Sequence, residues 1–314
     1  MAIQLLHGRR GFAGALVVLS LAGAVIGCGR YVSSKPAPNG AEIVATTGLV
    51  ADLARRVSGG LVEVEAIMGP GVDPHLYQAK AADRRKLENA KLVLYNGLHL
   101  EGTMSEMLQN LPHARAVAEG IAKHQLLYAE GQPDPHVWFD VKLWIQALGA
   151  VEAAMCDAFP QHADAFRKNA ADYRTELQAL DEEIRRALAT IPPQRRVLIT
   201  AHDAFRYFGR AYGIEVIGLQ GISTADETGL KEMQRIVERV VRDRIPAIFA
   251  ETSVPMDGVQ AVVERCHARG HEVRIAKAKL YSDALDRPDV PEGSYPGMMR
   301  HNVQVIVDEL RAER

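Results

Sequence analysis

Four side chains of metal-binding type stand in this sequence where loops are expected. His75 and His136 each end the same tripeptide, Asp-Pro-His, at 73–75 and again at 134–136. His202 lies two residues past the apolar run Arg196–Thr200, and Asp283 sits in Leu280-Tyr281-Ser282-Asp283-Ala284. Neutral imidazole is the commonest protein ligand for divalent transition ions. Three imidazoles and one carboxylate satisfy tetrahedral Zn2+, or Mn2+ when the carboxylate turns bidentate. The proline before His75 and before His136 fixes its own φ and has no N–H, which stiffens the backbone beside the ligand. Asp73 and Asp134 are positioned to accept a hydrogen bond from an imidazole or a backbone amide. A single loop histidine is more often a hydrogen-bonded structural residue. Two identical tripeptides and a histidine at a strand end shift that balance.

In parallel α/β sheets, ligands collect at the carboxyl ends of strands, so the elements around these residues matter. Glu42–Thr46 reads as a strand, and Thr47 can cap a helix carrying Leu49, Val50, Leu53 and Val57 that Gly59-Gly60 stops. Leu61–Met68 alternates as a second strand that leads through Gly69-Pro70-Gly71 to His75. A helix over Gln78–Ala90, a strand over Lys91–Tyr95, a helix over Thr103–Asn110 and a loop or short strand at Ala116–Ala118 follow. Past His136, Lys142–Ala158 is an apolar helix. Beyond residue 195 the pattern restarts, with strands at Arg196–Thr200, Ile214–Leu219, Pro246–Ala250 and Glu272–Ile275. Helices fall between them, over Leu230–Arg242 and Gly258–Arg269, and Tyr295–Leu310 closes the chain. Glu251, just past a strand, is a candidate to steady one of the histidines. His99 reads as packing or as support behind the ligands. Trp138 and Trp144 cover the site or fill the core, Tyr207 and Phe208 read as core, and the remaining histidines (113, 124, 162, 267, 271 and 301) as surface or cap residues.

Between the halves runs Gln161–Thr190. Phe166, Ala170, Tyr173, Leu177, Leu180, Ile184 and Leu188 recur in steps of four and three, which puts one apolar stripe on a helix with a charged opposite face. Pro160 precedes it and Pro192-Pro193 ends it. A helix of about 30 residues is roughly 45 Å long, enough for a strut between two domains. The fold class expected is therefore α/β: two parallel-sheet lobes, 41–160 and 192–314, joined by a linking helix over 161–191.

The first residues address the chain rather than fold it. Arg9 and Arg10 precede an uncharged apolar run, Phe12–Ile26, too short for the roughly 20 residues of a spanning helix. Val25-Ile26-Gly27-Cys28 resembles the bacterial lipoprotein cleavage box, so 1–27 reads as a signal peptide and Cys28 as the lipid-modified first residue. Residues 28–40, with Ser33, Ser34, Pro36, Pro38 and Asn39, suit a tether. Cys156 and Cys266 have no spacing that implies a disulfide or a metal clip. The formal net charge is -2, and without Arg9 and Arg10 it is 35 − 39 = −4, which excludes nucleic acid as a partner on charge.

Taken in order, these motifs resemble the lipoprotein metal receptors of bacterial ABC importers, the cluster A-I zinc/manganese solute-binding proteins. The resemblance rests on Gly71–His75, Asn96-Gly97-Leu98-His99-Leu100-Glu101, Asp134–Trp138, Thr200–Phe205 with Tyr207-Phe208, Leu280–Asp283 and Met298–Asn302. It implies that His75, His136, His202 and Asp283 hold one ion between two lobes joined by a rigid helix. It also implies capture without catalysis, a membrane permease as partner, a lipid-held monomer facing the periplasm or exterior, and Zn2+ or Mn2+ as cargo. Manganese members often carry Glu in place of His202. The His-rich loop of many zinc members is missing here, since only His99, His113 and His124 lie between His75 and His136. A zinc hydrolase, a surface adhesin stabilised by metal, and a receptor for a chelate or corrinoid are rivals. The first lacks HExxH and an evident general base, and 6% aromatic residues suit the last poorly.

Overall fold

Short apolar segments build two parallel sheets, one in each half of the chain. The computed structural model describes residues 41–225 and 229–311, which belong to one compact unit. The expected signal peptide over 1–27, Cys28 and the tether over 28–40 lie outside the described residues. The first half runs β1 (Ile43–Ala45), α1 (Gly48–Ser58), β2 (Val64–Ala66), α2 (Ala81–Asn89), β3 (Leu92–Tyr95), α3 (Ser105–Gln109) and β4 (Ala114–Ala116). Its sheet has the order β2-β1-β3-β4, with every pair parallel. A small antiparallel hairpin follows, β5 (Tyr128–Ala129) and β6 (Gln132–Pro133), and then α4 (Val141–Ala158) and α5 (Ala163–Leu188).

The second half runs β7 (Val197–His202), α6 (Arg206–Tyr212), β8 (Glu215–Gln220), α7 (Leu230–Arg242), β9 (Ala247–Ile248), α8 (Asp257–His267), β10 (Arg274–Ile275) and α9 (Tyr295–Arg311). β7 pairs with β8 and β9 with β10, all parallel, and a bridge from Thr200 to Phe249 joins the two pairs. Parallel strands buried on both faces read as unbroken apolar runs, which is why these segments were visible in the sequence. Several are shorter than their apolar runs. Pro246–Ala250 is strand only over two residues, because Phe249 and Glu251 pair by single bridges to different neighbours. Helix α2 starts at Ala81 rather than Gln78, because the Asp83 carboxylate accepts from the Lys80 amide (2.8 Å) and the Tyr77 hydroxyl (2.7 Å). The β5–β6 hairpin was not anticipated. It turns through Glu130 (φ 51) and Gly131 (φ 81), both left-handed.

The long helix follows its periodicity. α5 spans 26 residues and continues a 3-10 turn over Pro160–His162. Its buried residues are the seven of the stripe plus Asp181. It lies along α1, α4 and α9, so it touches both halves for most of its length. Polar ties fix its rotation: Asn169 Nδ2 donates to the Val57 carbonyl (3.0 Å), the Tyr173 hydroxyl to Asp52 (3.2 Å), and the Tyr212 hydroxyl to Asp181 (2.9 Å).

The main apolar core does not stop at the boundary between halves. Leu49, Trp144, Leu177, Phe208 and Met299 belong to one continuous cluster. A smaller cluster with Ile199, Val237 and Val262 lies under α7 and α8, and another with Val93, Leu87 and Leu108 lies on the outer face of the first sheet. His271, read as a surface or cap residue, is buried, and its Nε2 pairs with the Ile245 carbonyl at 2.9 Å. Among the described residues no helix is long and apolar enough to cross a membrane.

The stripe of α5 sets a stability prediction. Leu177 is fully buried. Leu177→Ala should destabilise the metal-free protein by about 2–5 kcal/mol, whereas Lys168→Ala on the exposed face should change it by less than about 0.5 kcal/mol. Urea denaturation followed by circular dichroism separates the two, and equal effects would mean the stripe is not what seats the helix.

Candidate metal centre

His75, His136, His202 and Asp283 meet at the junction of the two halves. One ligand-type atom from each lies within 4.8 Å of all the others. His136 Nε2 is 3.3 Å from His75 Nε2 and 3.4 Å from Asp283 Oδ1, and His202 Nε2 is 3.3 Å from Asp283 Oδ2. Zinc bonds of about 2.0–2.1 Å set tetrahedral ligand–ligand edges of roughly 3.3–3.4 Å. Three separations in the cluster have that length, two of them to different oxygens of Asp283. The wider spread across the remaining pairs, with both Asp283 oxygens facing imidazoles, also admits a larger ion and a bidentate carboxylate.

Each ligand is delivered by a different loop. His75 follows the turn after β2, His136 opens a 3-10 turn before α4, His202 ends β7, and Asp283 follows the bridge that pairs Leu280 with Glu251. Two close approaches explain glycines near the site. A Cβ on Gly218 would come within 2.5 Å of the Asp203 amide nitrogen, so β8 can lie against the turn after His202 only without a side chain there. Gly102 (φ 41) comes so near the His75 carbonyl that a Cβ would stand 2.3 Å from its oxygen. This gives the segment Asn96–Glu101 its role. Glu101 is fully buried and accepts from the Thr46 hydroxyl (2.8 Å) and the amides of Asn96 (2.6 Å) and Gly97 (3.1 Å). It holds a loop in which Leu98 (φ 54) and His99 (φ 65) are left-handed, and the loop carries Gly102 against His75. Burial pushes the Glu101 carboxyl up to about 6.

Behind the ring nitrogens stand carboxylates. His136 Nδ1 lies 2.8 Å from Asp134 Oδ1, which also accepts the His136 amide at 3.0 Å. His202 Nδ1 lies 2.6 Å from Glu251 Oε2, and the His202 amide donates to Glu251 Oε1 at 2.9 Å. Such partners fix the tautomer and leave Nε2 as the electron-pair donor, aimed at the centre. Asp73 Oδ1 accepts the His75 amide at 2.9 Å, but among the described residues no hydrogen bond reaches the second ring nitrogen of His75. His99 stays outside the cluster, exposed, on the wall of an outer cavity of about 820 Å³ that reaches His75. Asp203 lines the same cavity, its carboxyl pushed up to about 6 by burial against the opposing effect of Arg206.

The electrostatics match this division. Burial holds His75 down to about 3. For His136 and His202 burial acts in the same direction but is overcome. Asp134 and Asp283 raise His136, and Glu251 and Asp283 raise His202 well above the ordinary imidazole range. Asp283 is held well below the usual carboxylate range, because the facing imidazoles outweigh a burial that would raise it. His202 Nε2 and Asp283 Oδ1 are buried without a hydrogen-bond partner. Buried polar atoms rarely stay unpaired, and such an orphan pair needs an explanation.

Some participants left no signal in the sequence. Arg206 reaches Asp134 Oδ2 at 3.4 Å, the Tyr207 hydroxyl donates to the Asp134 carbonyl at 3.0 Å, and Ser253 donates to Asp283 Oδ2 at 3.2 Å. Thr224 donates to Asp73 Oδ2 at 2.5 Å. All reach across long stretches of chain; Tyr207 belongs to a motif and Arg206 lies beside it, but nothing local marks either, or Ser253 or Thr224, as a partner of these aspartates. Tyr207, read as core alone, is also a polar tie. Trp138 both covers the site and fills the core. Its ring meets that of His136 edge-on at 5.2 Å, and its Nε1 donates to the Ser282 carbonyl at 3.0 Å.

Comparison with known proteins adds the family. Residues 43–309 match the family described as "Zinc-uptake complex component A periplasmic". The manganese-binding lipoprotein MntA of Bacillus subtilis is 47% identical over 293 residues, covering 92% of this chain and 95% of that protein. The zinc-binding protein TroA of Treponema pallidum is 45% identical over 285 residues, covering 89% and 92%. The solved structure of that periplasmic protein superposes with a TM-score of 0.84 at 44% identity, over 86% of this chain and 99% of the other.

A cation entering this cluster competes with protons. The raised His136 and His202 hold protons to a higher pH than a free imidazole does. Affinity for Zn2+ should therefore fall as pH drops, beginning above about 6.5, by about tenfold per pH unit for each proton displaced. Chelator competition between pH 8 and pH 5 measures it, and a flat profile would remove imidazoles from the coordination.

Proposed function

The chain belongs to the family of periplasmic zinc-uptake components, and on that footing we propose that it captures one divalent transition cation among His75, His136, His202 and Asp283 and passes it to a membrane permease. The family is one of solute-binding proteins for metal transport, not of enzymes. The observation that carries the site assignment is the pair of orphaned buried atoms, His202 Nε2 and Asp283 Oδ1, inside a ring of ligand-type side chains. A dication would satisfy both at once and offset the desolvation of the carboxylate.

Zn2+ and Mn2+ both fit as cargo. The relatives named for manganese and for zinc are 47% and 45% identical, so resemblance favours neither. Nitrogen-rich ligand sets bind zinc more tightly than manganese along the divalent series. Delivery of manganese would therefore depend on which ion reaches the site.

The face that bears the outer cavity suits contact with the permease. Among the described residues four large apolar side chains are exposed: Leu61, Leu76, Tyr128 and Leu230. Leu76 follows His75, Tyr128 precedes Ala129 and Leu230 follows Gly229, and those three neighbours line the cavity. We further propose that the chain works as a monomer at the envelope, with signal 1–27 removed, Cys28 lipidated and 28–40 as tether. The manganese-binding relative is itself named a lipoprotein. Lobes over 41–160 and 192–314, with 161–191 as linking helix, are the working division.

Element analysis of protein purified without added metal tests the assignment. Wild type should carry close to one equivalent of Zn2+ or Mn2+. His202→Ala and Asp283→Ala should each lose most of it, since a lost ligand leaves the remaining groups buried and unpaired. Full metal content in both variants would place the ion elsewhere.

A further inference from the structure

The two Asp-Pro-His segments are alike in sequence but unequally held. In each, one carboxylate oxygen accepts the amide of its own histidine, and the other turns to a side chain from the second half of the chain. Asp134 reaches Arg206, and Asp73 reaches Thr224. Asp134 is wholly buried, holds the His136 ring through Nδ1, and has its carbonyl bound by the Tyr207 hydroxyl. Asp73 is half-buried, and among the described residues its second oxygen is met by Thr224 alone.

His75 is correspondingly the loosest of the four. It is 7% exposed, against at most 1% for the other three. Among the described residues its ring has no second hydrogen bond, and it alone of the four lines the outer cavity. Gly221, Ile222, Ser223 and Ala225, the neighbours of Thr224, line that cavity opposite it.

Resting on the proposed cation site, we propose that the Thr224 hydroxyl is a positioning group whose bond to Asp73 clasps the His75 loop to the second half and sets how long a bound ion stays. An ion leaves by shedding one ligand first. His136 and His202 are each fixed by a carboxylate on the far ring nitrogen, so their detachment breaks a strong buried bond as well. Detachment of His75 breaks no ring hydrogen bond and moves the ring towards open space. What resists it is the loop, and the loop's tie to the second half is Thr224. Parting the two rims of the cavity breaks this clasp, which links separation of the halves to loss of a ligand.

The test uses the full chain loaded with Zn2+ and mixed with an excess of a chromogenic zinc chelator, so that absorbance reports release. Thr224→Val keeps the shape and removes the hydroxyl. Its release should be at least about tenfold faster than that of wild type. Thr224→Ser restores a hydroxyl and should return release to within about threefold of wild type. The melting temperature of metal-free Thr224→Val should fall by no more than a few degrees, as loss of one half-buried hydrogen bond implies, and a larger fall would mean a general structural role instead. Wild-type release from Thr224→Val, or no rescue by serine, would overturn the clasp. A wild-type chain that takes up no Zn2+, or a His202→Ala chain that keeps it, would instead overturn the cation site itself.

Discussion

A carboxylate shut away from water among imidazoles governs the rest of this molecule. Asp283 is 1% exposed, and the groups nearest its oxygens are the Nε2 atoms of His136 and His202 and the Ser253 hydroxyl. An isolated buried charge is costly enough that it must find a counter-charge or take up a proton. The imidazoles of His136 and His202 serve that need, and the same attraction raises their affinity for protons and lowers that of Asp283.

Keeping four such groups in register needs a frame that hardly yields. The main core runs through both halves without a break, and the ties across it are buried. The Tyr295 amide donates to Asp52, the Tyr295 hydroxyl donates to the Trp138 carbonyl at 2.7 Å, and Trp138 donates to the loop that carries Asp283. Swinging the halves widely apart would expose this apolar seam, at about 25 cal/mol for each Å². Less apolar surface is at stake at the rim, where His75 and the neighbours of Thr224 line the outer cavity. Loops of low local stability are where moving parts are found.

The chemistry of the site and the stripe of the long helix were legible in the sequence, because ligand residue types and period-3.6 spacing are local signals. His75, His136, His202 and Asp283 were chosen from strand ends and from a repeated tripeptide, and the structure brings them together. The helix over 161–190 appears over 163–188 with the same buried positions. What stayed hidden was what reaches across space. Thr224 and Arg206 support the two aspartates from positions 151 and 72 residues away, where nothing in the local pattern marks them. Glu101 was visible as part of a motif, but its work as the hidden brace of a left-handed loop depends on Thr46, 55 residues earlier. His271 reads as a surface or a cap residue because an exposed turn and a buried carbonyl cap have the same local sequence, and the structure has it buried against the Ile245 carbonyl.

The docking of α9 carries a consequence for biogenesis. This helix is the last of the described elements, yet Tyr295 and Met299 complete a core that begins at Ile43. A nascent chain that stops short of residue 295 lacks a wall of its own interior. It also carries three imidazoles with no finished pocket to hold them. The loops that carry His75, His136, His202 and Asp283 therefore have their full frame only once the chain has been made through α9 and that helix has settled.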